Sequence, residues 1–306
     1  MRRIAHLSDV HILDHRTRHA RYRFITKLVS LGRRLDPEAR KRRLARALQA
    51  AKDGGADHIV ISGDLTEVGE DVEFEQFAEV LHDAKLPADS ITLVPGNHDA
   101  YTSGEAWTRA LAGPLEPFAA ASASTAGKVV DRGTVAFLPI DTTIFQTIAL
   151  SRGVFTKETA AAVERRIADP AIRNKAMVLV VHHPPFHPVK MMARVDGLDG
   201  DAVMLALLAR YPHVQVLHGH LHGIFDHRLT TSTADGSAVE LTPSGPHAGP
   251  KRTTHAVEGL SAPPEPPTRL FGAGAVCDGP DETPRIRLYD VKDRELKPVA
   301  LPVQAA

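Results

Sequence analysis

A single cysteine, Cys277, excludes an intrachain disulfide framework from this chain of 306 residues. A chain of that length has no need of one, because its core can grow large enough to be stable without cross-links. Missing too is any apolar run near the roughly 20 residues of a membrane span. The opening MRRIAHLSDVH holds an apolar stretch too short, and too soon broken by polar groups, for a secretion signal. Together these absences set a cytoplasmic location as the expectation. Net charge is absent as well: 37 Lys and Arg balance 37 Asp and Glu, so the whole molecule has no field that steers it toward nucleic acid or membrane. The balance is uneven along the chain. Between Arg16 and Arg46 twelve basic side chains face only Asp36 and Glu38, an excess of +10 that leaves −10 for the rest.

What is present is ample apolar material, 43% of the residues, arranged in short β-branched-rich runs. Ile4 to Leu7, His58 to Ser62, Ile91 to Pro95, Met177 to Val181 and Val214 to Leu217 have the length and composition of buried strands. Between them the spacing predicts helices over Lys41 to Lys52, Asp71 to Ala84, Lys157 to Ile167 and Asp201 to Arg210, the alternation of an α/β fold. Each strand runs into a polar cluster: SDVH, GDLTE, GNHD, HHPP and HGHLH. In open α/β sheets the site lies beyond the carboxyl ends of the strands, where the chain leaves the sheet and aims side chains into one crevice. Gly63, Gly96 and Gly219 stand beside the candidate ligands, where the backbone must turn or approach closely. From Pro243 to Pro267 seven prolines predict a long loop, followed by closing strands at Arg269 to Val276 and Arg285 to Val291. There is no internal repeat. One domain is expected over residues 1–306, with a basic insertion at about 16–46 and the Pro-rich loop and closing strands at about 243–306.

Carboxylate, amide oxygen and imidazole, with no thiolate, form a hard-to-borderline donor set that suits Mn²⁺, Fe or Zn²⁺. The pairs Asp9-x-His11 and His220-x-His222 place alternate residues of one strand end toward the same side. In this order D-x-H, GD-x-x-E, GNHD, HH-P-P and GH-x-H resemble the calcineurin-like metallophosphoesterase superfamily, and within it the bacterial class III cyclic-nucleotide phosphodiesterases, over Ile4 to His222. The resemblance implies a four-layer α/β/β/α sandwich with two divalent ions. It assigns Asp9, His11 and His222 to the first ion, Asn97, His182 and His220 to the second, and Asp64 to the bridge between them. It makes His98 the histidine that faces the substrate phosphate and Asp99 the acid that orients it. Glu67 stands where the motif often has Asp, a departure that bears on the hydrogen bonding around the site. Choosing His182 over His183 rests on the motif pattern, since adjacent residues at a strand end point opposite ways.

The implied reaction is hydrolysis of a phosphodiester such as a 3′,5′-cyclic nucleotide, with hydroxide held between the ions as the nucleophile. A phosphomonoesterase, a nucleotide-lipid pyrophosphatase and a nuclease are rival enzymes; a non-catalytic interaction scaffold is the rival from another class. No nucleic-acid partner is favoured. Phe24, Ile25, Leu28, Val29, Leu31 and Leu35 recur at helical spacing opposite Arg21, Arg23, Lys27, Arg33 and Arg34. This basic amphipathic stretch reads as a packing helix, a contact to an anionic membrane on the inner face, a lid over the site, or a dimer contact.

Overall fold

A computed structural model of the chain describes residues 2–14, 35–189, 191–231, 238–244, 253–256, 268–278 and 283–301. The strands are β1 Arg3–Leu7, β2 His58–Ser62, β3 Ile91–Val94, β4 Val130–Asp131, β5 Val135–Pro139, β6 Gly153–Val154, β7 Ala176–Val180, β8 Leu198–Asp199, β9 Val214–His218, β10 Phe225–Thr231, β11 Ala238–Pro243, β12 Thr253–Ala256, β13 Thr268–Gly272, β14 Arg287–Lys292 and β15 Glu295–Val299. The helices are α1 Pro37–Asp53, α2 Asp71–Asp83, α3 Ala106–Ala112, α4 Lys157–Ile167, α5 Ala193–Asp196 and α6 Asp201–Arg210.

Two sheets result. The first has the order β15-β14-β1-β2-β3, and the second β12-β11-β10-β13-β9-β7-β5-β4. The centre of each is parallel, β1-β2-β3 in one and β5-β7-β9-β13 in the other. Antiparallel strands extend the edges. Parallel strands buried on both faces carry unbroken apolar runs, and β2 shows why. Ile59 and Ile61 pack with Leu44, Leu48, Phe74 and Phe77 of α1 and α2, whereas Val60 points the other way, into a layer with Phe137, Val178, Leu217 and Phe271 of the second sheet. A third layer joins Leu138, Leu179 and Val216 to Val163 of α4 and Leu205 and Leu208 of α6. Helices, sheet, sheet and helices thus stack as the four-layer α/β/β/α sandwich.

The five anticipated central strands and the four anticipated helices are present, with ends moved by a few residues. Helix α1 starts four residues early because Asp36 caps it, accepting from Ala39 N at 3.0 Å, and Pro37 takes its first turn. Residues 37–46 of the basic stretch are therefore the first half of a core-packed helix. Its amphipathic part, from 24 to 35, lies outside the described residues except for Leu35. The Pro-rich stretch read as loop includes β12, which pairs with β11 because ladder hydrogen bonds outweigh a loop composition. The first closing strand stops at Gly272, and Ala275 forms only an isolated bridge to Ser8. The second closing strand returns as the unanticipated β15 through a tight turn whose Asp293 and Arg294 both have positive φ. No helix among the described residues is long and apolar enough to cross a membrane.

Candidate metal centre

At the carboxyl ends of β1, β2 and β9 the backbone enters a conformation that L residues avoid. Asp9 (φ 54°), His11 (53°), Asp64 (51°), His220 (70°) and His222 (55°) are all left-handed, each at a cost of about 1–2 kcal/mol. Such residues persist only where their surroundings hold them, and they concentrate at functional sites. Glycine makes the close approach possible. A Cβ at Gly96 would stand 2.2 Å from Asp64 Oδ1, and one at Gly63, itself at φ 102°, 2.3 Å from His182 Nδ1.

The turns deliver two clusters. Asp9, His11, Asp64 and His222 each offer a donor atom within 4.8 Å of the others, as do His182, His183 and His220. Asp64 Oδ2 lies between them, 3.7 Å from His11 Nε2 and 3.3 Å from His182 Nε2. His222 Nε2 is 3.5 Å from Asp9 Oδ1. Asn97 follows β3, and its amide nitrogen donates to Tyr101 Oη at 2.9 Å, which turns Oδ1 the other way. Asp9 Oδ2 and Asn97 Oδ1 are both buried without a hydrogen-bond partner. Buried orphaned acceptors of this kind are costly unless something positive meets them, so this donor set fits divalent cations.

The outer nitrogens of the imidazoles are held. His182 Nδ1–H donates to Ser62 O at 2.7 Å, so Nε2 is the nitrogen turned toward Asp64. His222 Nδ1 meets Asp278 Oδ2 at 2.6 Å, and His220 Nε2 meets Asp196 Oδ1 at 3.0 Å. Carboxylate–histidine pairs of this type fix ring orientation and raise the basicity of a ligand nitrogen. His11 Nδ1 faces Glu67 Oε2 at 3.5 Å, and that oxygen is 3.6 Å from Arg40 Nη1. His183 is tied instead to Thr142 Oγ1 at 2.8 Å, with its ring 4.6 Å from that of His220.

Electrostatics follow the same plan. Burial alone would push the Asp64 carboxyl up, but His182, His98 and His11 around it hold it well below the usual range. Burial disfavours the charged His182 ring, yet Asp64 and then Asp9 lift it to about 9. His183, equally buried and beside His220 and His182, is pushed well down. Asp99 rises to about 7 because it is buried and lies near Asp64.

His98 donates from Nδ1 to Glu67 O at 2.7 Å, and its backbone nitrogen donates to Asp64 Oδ1 at 2.9 Å. The Asp99 carboxylate accepts from Gly96 N, Leu65 N, Thr66 N and Thr66 Oγ1. A backbone carbonyl thus holds His98 Nδ1, and the Asp99 carboxylate joins the loop after Asp64 to the loop of Asn97 and His98. Tyr101, Asp196, Asp278 and Arg40 escaped the sequence reading. Only the spacing of Asn97 and Tyr101, one helical turn apart, carried a local signal.

A cavity of about 380 Å³ opens onto the clusters, lined by Asp64, Asn97, His98, His220 and His222 together with Ser151, His187, Pro188, Asp196, Leu221 and Asp278. Residues 2–223 match the profile of the calcineurin-like phosphoesterase family, whose members use a dinuclear divalent metal centre. The chain is 25% identical over 248 residues, 81% of its own length and 78% of the relative's, to the glycerophosphodiester phosphodiesterase GpdQ of Enterobacter lignolyticus strain SCF1. In fold it is similar to a dimetal phosphatase from Danio rerio, with a TM-score of 0.57, 12% identity, and coverage of 94% of this chain and 92% of that one. With the family profile spanning all five motifs, the chain belongs to the calcineurin-like phosphoesterase family and is a metallophosphoesterase-type hydrolase.

Proposed function

We propose that Asp9, His11 and His222 hold one divalent ion, that Asn97, His182 and His220 hold another, that Asp64 bridges them, and that the enzyme hydrolyses a phosphodiester. The carrying observation is the convergence of donors from four strand ends into two clusters that Asp64 joins, beside a cavity that Asn97 of a fifth strand end also lines, with Asp9 Oδ2 and Asn97 Oδ1 buried and orphaned. The mixed donor set suits Mn²⁺, Fe or Zn²⁺. Such ions, when bound, neutralise phosphoryl oxygens and lower the pKa of water to near neutrality.

The protein's own groups do the rest. His98 lines the cavity with Nδ1–H committed to the Glu67 carbonyl. When the ring is protonated, its Nε2–H donates to a phosphoryl oxygen or to the departing alkoxide. Asp99 keeps the loops of Asp64 and His98 in register through Leu65, Thr66 and Gly96. Two features favour a diester. Asp196 and Asp278 line the cavity and add negative charge, which opposes a doubly charged monoester more than a singly charged diester. The relative over most of the chain is named as a phosphodiesterase. A 3′,5′-cyclic nucleotide and a glycerophosphodiester are both substrates of this type.

Elemental analysis is expected to find two ions per chain, and bis(p-nitrophenyl) phosphate to be turned over faster than p-nitrophenyl phosphate. Asp64→Ala loses both ions and turnover, whereas His98→Ala keeps the ions and slows hydrolysis by about 10²–10⁴. An Asp64→Ala protein with two ions and normal turnover would refute the site, and a preference for the monoester would replace the diesterase reading with a monoesterase.

A further inference from the structure

Among the described residues, the large apolar side chains that stand exposed are Phe145, Val189, Met191, Met192, Val195 and Ile224. Single exposed apolar residues scattered over a surface need no explanation; a contiguous group does. Four of these residues fall between Val189 and Val195, a segment flanked by cavity-lining residues: His187 and Pro188 before it, Asp196 after it. Ser151, another lining residue, donates its backbone N–H to Val195 O at 2.8 Å and fastens the segment to the rim. Phe145, 64% exposed, stands on the loop that leads to Ser151, a loop closed by Gln146 Nε2 donating to Arg152 O at 2.7 Å. Ile224 follows His222 by two residues, on the strand-end turn that carries two of the proposed ligands.

The interior and the rim differ in chemistry. Inside, carboxylate, imidazole, amide and hydroxyl groups line the cavity beside Pro188 and Leu221; outside, Met191, 79% exposed, Met192 and Val195 stand with the exposed Arg194. Most of the lining groups are polar, so an aliphatic arm on the substrate finds its apolar partners chiefly at the rim. Methionines suit such a surface, because their flexible thioethers adapt to chains of different shape.

We propose that this rim binds an aliphatic arm of the substrate, so that the preferred phosphodiester carries an alkyl or acyl chain on one side of phosphorus. The inference rests on the diester reading above and names its substrate class. Apolar contact made at the rim is available only to substrates with such an arm, and it therefore selects among diesters whose phosphates are alike.

Methyl p-nitrophenyl phosphate and octyl p-nitrophenyl phosphate, the latter below its critical micelle concentration, share a leaving group and a charge and differ in the arm. With the holoenzyme, kcat/KM is expected to be about ten- to sixtyfold higher for the octyl ester, the gain from covering two or three methylenes. In a Met191→Ser/Met192→Ser protein the octyl-to-methyl ratio is expected to fall toward one. A ratio near one in the wild type, with the methyl ester hydrolysed, overturns the rim proposal and leaves the diesterase intact. Failure to hydrolyse either ester, with p-nitrophenyl phosphate cleaved, overturns the diester reading itself. A flat ratio combined with co-sedimentation on phosphatidylcholine vesicles, or with a dimer mass that the double substitution abolishes, would make the rim a lipid or self-association surface and overturn the proposal as well.

Discussion

His182 and His183 are neighbours in the chain, both fully buried, and meet different surroundings. His182 looks across at Asp64, 3.3 Å away, while Thr142 holds His183. If His182 is the ligand, His182→Ala removes one donor of the second ion and weakens its binding by an order of magnitude or more, whereas His183→Ala leaves the donor set complete and loses less. Titration of the apo proteins with Mn²⁺ separates the two, and a greater loss in the His183 variant reverses the assignment. At this scale the sequence was informative because most of the proposed ligands lie within a few residues of a strand end. A motif there fixes both residue type and position, as at Asp64 and Asn97. It was silent on Asp196 and Asp278, which reach His220 and His222 from 24 and 56 residues away. No local pattern marks a carboxylate whose partner is set by tertiary packing.

Helix α1 connects β1 to β2, and it also supports the site from behind. Arg40, 1% exposed, donates to His11 O at 3.3 Å and stands 3.6 Å from the buried Glu67 carboxylate, which in turn faces His11. Removing one partner of a buried pair strands the other, at a cost of about 3–5 kcal/mol, whereas replacing both with neutral groups costs much less. Arg40→Met is therefore expected to lower the urea midpoint strongly, and Glu67→Gln in the Arg40→Met background to restore much of it. Additive losses in that cycle would show that the pair is not coupled. The basic count of this stretch was legible, but nothing in the sequence marked Arg40, because periodicity gives no sign of a buried acid that recruits an Arg. Strands show a matching limit. Those with unbroken apolar runs, such as β2 and β7, were legible, while β10, FDHRLTT, is too polar to register and is a strand because β11 and β13 pair with it on either side. β5, VAFLP, is fully buried yet short and ends in proline, a composition that reads as readily as a turn.

The molecule as a whole is two sheets pressed face to face, and the proposed ligands come from both: Asp9, His11, Asp64 and Asn97 from the first, and His182, His220 and His222 from the second. Stability of the sheet interface is thus a condition of the site. The alternation of strands and helices gave the α/β class, but not the pairing of two sheets, which only the resemblance implied; nothing in a single strand says which face meets a second sheet. That interface contains ionisable groups. His58 of β2 stacks on Phe137 of β5 at 4.6 Å between centroids, and its Nε2 is 2.9 Å from Thr92 Oγ1. Burial, with a smaller contribution from Arg132, pushes His58 down to about 3, and burial likewise pushes His6 well down. A histidine whose folded pKa is depressed contributes stability that is present above its unfolded pKa of about 6.5 and is lost as pH falls below it, because the unfolded chain then takes up a proton that the folded one refuses. For His58 the loss between pH 7 and pH 5 is about 2 kcal/mol by linkage. Wild type and His58→Asn, each saturated with the same metal, are compared by urea unfolding at both pH values, so that titration of the metal ligands cancels in the difference. The wild type's stability relative to the variant should fall by about 2 kcal/mol on going to pH 5. A difference independent of pH would mean that His58 does not resist protonation in the folded state, and that acid weakens the sandwich elsewhere.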